Sequence, residues 1–145
     1  ARLIAPPEDF DNSTRDACAR IVKVMTTYPE LIGGSSDRLD TEIMKAAPGK
    51  IVSKVGAEGV YTAGILPCEE WPEGLGVALK IEDGDDHRAR PTAVIEALRQ
   101  LGVLRDKSLD AVARYAFYPV KNRQGHVVGE IRSSFTLRSP VNDIV

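Results

Sequence analysis

Glycine and proline cut the middle of the chain, from Pro48 to Asp85, into three short apolar runs, and this punctuation constrains the fold most. Residues 51–55, 59–66 and 75–81 are too short for ordinary helices and read as strands. The second run is either a strand of its own or a continuation of the first across the irregular 56–59 stretch. The Pro-rich stretch 67–74 is short enough to join an antiparallel pair, and Asp83-Gly84-Asp85 marks the turn after the third strand. The first run also carries a chemical anomaly. Lys54 sits in an otherwise apolar strand, with Gly56 and Gly59 close behind it. A lysine there is solvated, paired or catalytic. On a wet sheet face it needs no function, because lysine is rarely buried. Aimed into a cleft, its ammonium would tune a nucleophile, and the glycines would let a substrate approach the backbone.

Helical signals flank this region. Ser13 is a good N-cap with Asp16 as its partner, and Ala17, Ile21, Val24, Met25 and Tyr28 share one helical face up to Pro29. A flexible Gly33-Gly34-Ser35-Ser36 loop follows. Asp40 then caps a short helix through Ala47 that turns Ile43, Met44 and Ala47 inward and stops at Pro48-Gly49. After the strands, Pro91 suits the first turn of a helix with Val94, Ala97, Leu98 and Leu101 as its core stripe and Gly102 as its C-cap. Ser108 caps another helix, containing Leu109, Val112 and Ala116. Residues 118–121 and 126–131 form a closing hairpin around Asn122-Arg123-Gln124-Gly125, and the tail after Leu137 is expected to be loose. The resulting fold class is α+β: an antiparallel sheet flanked by helices, in one domain.

Composition narrows the function. A chain of 145 residues suits a single domain. Its net charge of −2 offers no basic field for nucleic acid or acidic membranes. No apolar run approaches the roughly 18 residues that span a bilayer. No signal peptide is visible, and a cytoplasmic location is expected. Cys18 and Cys68 lie far apart and are expected to be reduced thiols rather than a disulfide. His87 and His126 are isolated and expected at the surface, so the chain alone carries no metal-ligand pattern. Asp83, Asp85 and Asp86 lack calcium-loop spacing and read as a solvated turn. Gly74-Leu75-Gly76 precedes a strand, so it is no dinucleotide fingerprint. Trp71 reads as loop packing. Arg88 and Arg90, just before a helix, either clamp a carboxylate or pair with Asp85 and Asp86.

Lys54-Val55-Gly56 has the outline of a Lys-x-Gly strand motif. In that motif a lysine stands near a nucleophilic serine, and a small residue lets backbone N–H groups point at a developing oxyanion. The outline is weak alone, but a longer pattern surrounds it. Lys54-Val55-Gly56-Ala57-Glu58-Gly59-Val60 is followed by Gly74-Leu75-Gly76-Val77-Ala78-Leu79-Lys80-Ile81-Glu82-Asp83-Gly84-Asp85, then Arg88-Ala89-Arg90-Pro91 and Leu98-Arg99-Gln100-Leu101-Gly102. Tyr28-Pro29-Glu30-Leu31, Asp40-Thr41 and Ala46-Ala47-Pro48-Gly49 stand upstream; Asn122-Arg123 and Val128-Gly129-Glu130-Ile131 stand downstream. Over about residues 15–131 the chain resembles the asparaginase II family, the rhizobial-type L-asparaginases. Val55 stands where that family usually carries glycine, and the 33–40 loop is slightly longer.

The resemblance implies a serine β-lactamase-like fold, shared with the serine-dependent glutaminases. It implies hydrolysis of L-asparagine to L-aspartate and ammonia through a serine acyl-enzyme. It places Lys54 near that serine as the catalytic residue of this chain and the Ala57 N–H as an oxyanion donor. Glu58 and Gly59 belong to the same segment as substrate or oxyanion-binding candidates. It also implies parts that are missing. Complete family members carry S-x-x-K, S-G-K-H and D-G-C-G segments in a first half that supplies the serine, its activating lysine and the ligands of a zinc ion; none of the three occurs here. Residues 1–145 are therefore expected to be the C-terminal half of such an enzyme, inactive until an N-terminal half completes the site. The chain would hold no cofactor itself, and any zinc of the complete enzyme would use residues absent here. A partial domain leaves a strand edge and an apolar face open, so association with the missing half or homo-oligomerisation is expected. Two other readings remain: a non-catalytic binding or assembly module of the same fold, and an acyl transferase of that fold acting on another amide or lactam.

Overall fold

Three strands pair antiparallel in the order β1-β2-β3: β1 (Ile51–Val55), β2 (Val60–Ile65) and β3 (Leu75–Lys80). The computed structural model that shows this describes residues 2–138. The second apolar run is thus a separate strand. Glu58 and Gly59 take φ of 56° and 74°, and the Val60 N–H donates to the Ala57 carbonyl at 3.2 Å, so the chain reverses in a tight hairpin turn. Register sets Val55 opposite Tyr61 and Lys54 opposite Thr62. Strand alternation then sends Ile51, Ser53, Tyr61, Ala63 and Ile65 to the buried face and Lys54 and Thr62 to the outer one.

Ahead of the sheet lie α1 (Asn12–Thr27), α2 (Glu30–Gly33) and α3 (Leu39–Ala46). After it come α4 (Ala89–Gln100), α5 (Lys107–Asp110) and a 3₁₀ turn at Ala113–Tyr115. A second antiparallel pair, β4 (Phe117–Lys121) and β5 (Val127–Arg132), closes the description. The α+β class and its antiparallel pairing therefore follow the expected order. Ile43 and Met44 of α3 and Val94, Ile95 and Leu98 of α4 pack with Ile51, Tyr61 and Ile65 of the sheet. The end of α4 is closed as glycine predicts. Gly102 has φ 74°, its N–H donates to Arg99, and the Val103 N–H reaches back to the Leu98 carbonyl at 3.0 Å.

Several local expectations are corrected. Asp11, not Ser13, caps α1: its carboxylate accepts the Thr14 N–H at 2.8 Å, and a charged acceptor suits the positive end of a helix. The cap position of α3 is Arg38, which leaves Asp40 inside the first turn with its side chain wholly buried. Ser108 bonds the Arg105 backbone, and the helix there lasts one turn before the 3₁₀ turn. Cys18 and Cys68 are both free. The apolar stripe of α1 enters the core only in part: Met25 packs against it, whereas Ile21, Val24 and Tyr28 are about half exposed. The tail expectation falls, from residue 139 onward, outside the described residues. Among the described residues no helix is long and apolar enough to cross a membrane.

Candidate functional site

Polar groups gather where the edge of β1 meets α3. Val55 directs its N–H and carbonyl away from β2. Asp40 Oδ2 accepts the N–H at 3.4 Å, and Lys54 Nζ donates to the carbonyl at 2.8 Å. The Lys54 ammonium also stands 3.7 Å from Asp40 Oδ2, with half of its own side chain exposed. Lysine on the outer face thus curls round the strand edge to a carboxylate that comes from the inner side. It is paired and partly wet, and it lines a groove of about 180 Å³ with Ile4, Met25, Val52 and Thr62.

Asp40 reaches this place because Gly33 has no side chain. A Cβ on Gly33 would lie 2.3 Å from Asp40 Oδ1. The carboxylate is fully buried, accepts the Thr41 N–H at 3.2 Å through Oδ1, and has Lys54 as its cation. A buried charge with one distant, half-exposed partner is an expensive arrangement that stability alone does not favour. Around it lie Ser53, whose hydroxyl donates to the Asp40 carbonyl at 3.3 Å, and Tyr61, whose buried hydroxyl has no hydrogen-bond partner among the described residues. Burial pushes the Tyr61 hydroxyl well above the ordinary phenol range. The Asp40 charge adds to that, while nearby Ser53 and Arg90 offset part of it.

The 56–59 turn follows directly from β1, and its backbone groups can be accounted for one by one. The Gly56 N–H donates to Val60 at 2.9 Å, and the Gly59 carbonyl accepts from Ile81 at 3.0 Å. The Gly56 carbonyl accepts from Arg90 Nη1 at 2.9 Å, and the Glu58 carbonyl accepts from the Lys80 ammonium. The Gly59 N–H donates to Asp86 Oδ1 at 2.8 Å. Among the described residues no acceptor meets the N–H of Ala57 or of Glu58, and both residues are exposed. Ala57 and Glu58 therefore keep free donors, whereas Gly59 has spent its own. Gly59 contributes conformation: at φ 74° a Cβ would lie 2.8 Å from that of Ile81.

A cleft of about 320 Å³ opens on the inner side of this edge, lined by Asp40, Val55, Gly56, Asp86 and Arg90. Lys54 does not line it; Asp40 stands between the cleft and the ammonium. Arg90 is buried and pairs with Asp86, while Arg88 pairs at the surface with Asp85 at 2.9 Å. Asp85 also accepts the N–H groups of His87, Arg88 and Ala89 at the start of α4. The Arg88 N–H above all holds its carboxyl well below the usual range. His87 and His126 are exposed, and Trp71 ties its loop to the Leu101 carbonyl at 3.0 Å. Sequence reasoning missed the roles of Asp40 and Asp86. The one available signal for Asp40 was its place on the inward stripe of α3, in line with Ile43, Met44 and Ala47. Among the described residues no group of three or more His, Cys, Asp or Glu side chains could hold a metal, so the residues present do not fit a zinc site.

An ammonium, or a backbone N–H group left unspent, is chemically suited to stabilising negative charge on an attacked carbonyl, the task of acyl-transfer enzymes. The family model described as L-asparaginase II matches residues 1–133, and the chain belongs to that family. Membership points to asparaginase-type amide hydrolysis. No curated protein matches the chain.

Proposed function

We propose that this chain is the C-terminal part of a serine amidohydrolase that converts L-asparagine and water to L-aspartate and ammonia. Membership of the L-asparaginase II family over residues 1–133 carries the reading. The serine is supplied by an N-terminal half. Its oxygen bonds to the side-chain amide carbon, the C–N bond breaks, and the nitrogen leaves as ammonia with a proton. Water then splits the ester, releasing aspartate and restoring the serine. Lys54 offsets the charge that develops as the serine loses its proton, and the Ala57 N–H donates to the carbonyl oxygen in the tetrahedral state. Glu58 supplies a second N–H, and Gly59 gives the turn its shape. The free Ala57 donor, in the turn that follows β1, and the half-exposed Lys54 ammonium near the end of that strand support these roles.

The exposed part of the α1 stripe supports association with the missing half, because Ile21 and Val24 are about half exposed. The experiment measures ammonia release from asparagine by the chain alone, by the chain completed with its N-terminal half, and by the completed Lys54→Ala variant. The expected outcome is no release by the chain alone, release by the completed protein, and a loss of at least about a hundredfold in kcat in the variant. A completed protein that releases no ammonia would instead support the non-catalytic assembly module.

A further inference from the structure

Turn 56–59 is held more firmly than a hairpin turn requires. Its φ of 56° at Glu58 is unfavourable for a residue with a Cβ, and the tight reversal together with the groups bonded around it holds that conformation. Two of the groups that do so come from one short stretch at the start of α4. Arg90 Nη1 donates both to the Gly56 carbonyl, at 2.9 Å, and to Asp86 Oδ1. The same Asp86 oxygen accepts the Gly59 N–H at 2.8 Å. One carboxylate–guanidinium pair therefore ties the entry of the turn to its exit and refers both to α4. Arg90 is 8% exposed, and its Nε is buried with no partner among the described residues. A buried guanidinium with an unpaired donor is a poor way to gain stability. What the pair achieves is selective: it leaves the N–H groups of Ala57 and Glu58 unspent while fixing the chain on either side.

We propose that Arg90 and Asp86 are positioning residues that hold the 56–59 turn so that the Ala57 and Glu58 N–H groups stay available to the carbonyl oxygen of an amide substrate. This rests on the reading of the Lys54–Ala57 strand end as an amidohydrolase site. Neither Arg90 nor Asp86 touches the substrate; both act through the turn. Preorganised donors lose much of their effect when displaced by about 1 Å, so loosening the turn lowers kcat more than it raises KM.

The experiment compares Arg90→Met, Arg90→Lys and Asp86→Asn with wild type by two readouts. The first is backbone amide NMR of the chain. The second is kcat and KM for ammonia release by the completed protein. In Arg90→Met the amide signals of Ala57, Glu58 and Gly59 are expected to shift and broaden while those of α3 do not. Its kcat is expected to fall about 10- to 100-fold with KM within about twofold, and Arg90→Lys is expected to recover part of the loss. Should Arg90→Met fail to fold, Asp86→Asn at a one-third-exposed side chain carries both readouts. Unchanged turn amides, or a loss confined to KM, would overturn the proposal. If Lys54→Ala is inactive and Arg90→Met keeps full kcat, only this inference fails. If Lys54→Ala is fully active, the parent reading fails and this one with it.

Discussion

A single missing side chain decides where the Asp40 carboxylate can lie. Gly33 leaves the space that Asp40 Oδ1 fills, and a methyl there would stand 2.3 Å from that oxygen and 2.6 Å from Thr41 Oγ1. Gly33→Ala is therefore expected to cost about 1–3 kcal/mol through overpacking, read as a lower urea midpoint with an unchanged slope. Lys54 was legible as an anomaly from its strand alone, because a cation in an apolar run asks for a partner or a use. Its partner was not legible. An aspartate at the start of a helix reads as a cap, and only the packing of α3 against β1 reveals that it is turned inward. The free donors of Ala57 and Glu58 were equally hidden. They emerge from the bonding of every neighbouring group, and several of those partners are remote in sequence.

At the level of the element, α4 is closed by local chemistry at both ends. Gly102 and Val103 terminate it, and Asp85 accepts the N–H groups of His87, Arg88 and Ala89 where the chain enters it. Those bonds hold the Asp85 carboxyl below its ordinary range. A depressed folded value means stability that is present above the unfolded pKa, about 3.9, and is lost as the pH falls through the folded one. Asp85→Asn should therefore lower the urea midpoint at pH 7, and the gap to wild type should narrow as the pH drops below about 4. A gap that widened in acid would contradict this account. The ends of α4 were nearly readable from Pro91 and Gly102. The starts of α1, α3 and α5 were not, because each lies where several capping residues compete and the winner depends on the approach of the preceding loop.

The molecule as a whole buries α3, α4 and one face of the sheet, while α1 has no fully buried residue and rests on the core through Met25. A helix with an apolar stripe and no buried residue is poorly explained by the chain's own core. Ile21→Lys with Val24→Lys should leave the urea midpoint of the chain within about 0.5 kcal/mol of wild type. The same pair should weaken binding of the N-terminal half by at least about tenfold, measured by titration calorimetry. Loss of chain stability with unchanged binding would place the stripe inside this fold after all. By itself the amino-acid sequence determined the α+β class, the antiparallel pairing of the second and third apolar runs, the two ends of α4 and the segment in which Lys54, Ala57, Glu58 and Gly59 lie together. Those follow from side-chain periodicity and from the backbone limits of glycine and proline, which act over a few residues. The tertiary structure alone decided that Asp40 meets Lys54, that Asp86 and Arg90 grip the turn, and that the α1 stripe is left partly open. Such contacts join positions distant in the chain, and their free energy depends on burial and approach rather than on any local preference.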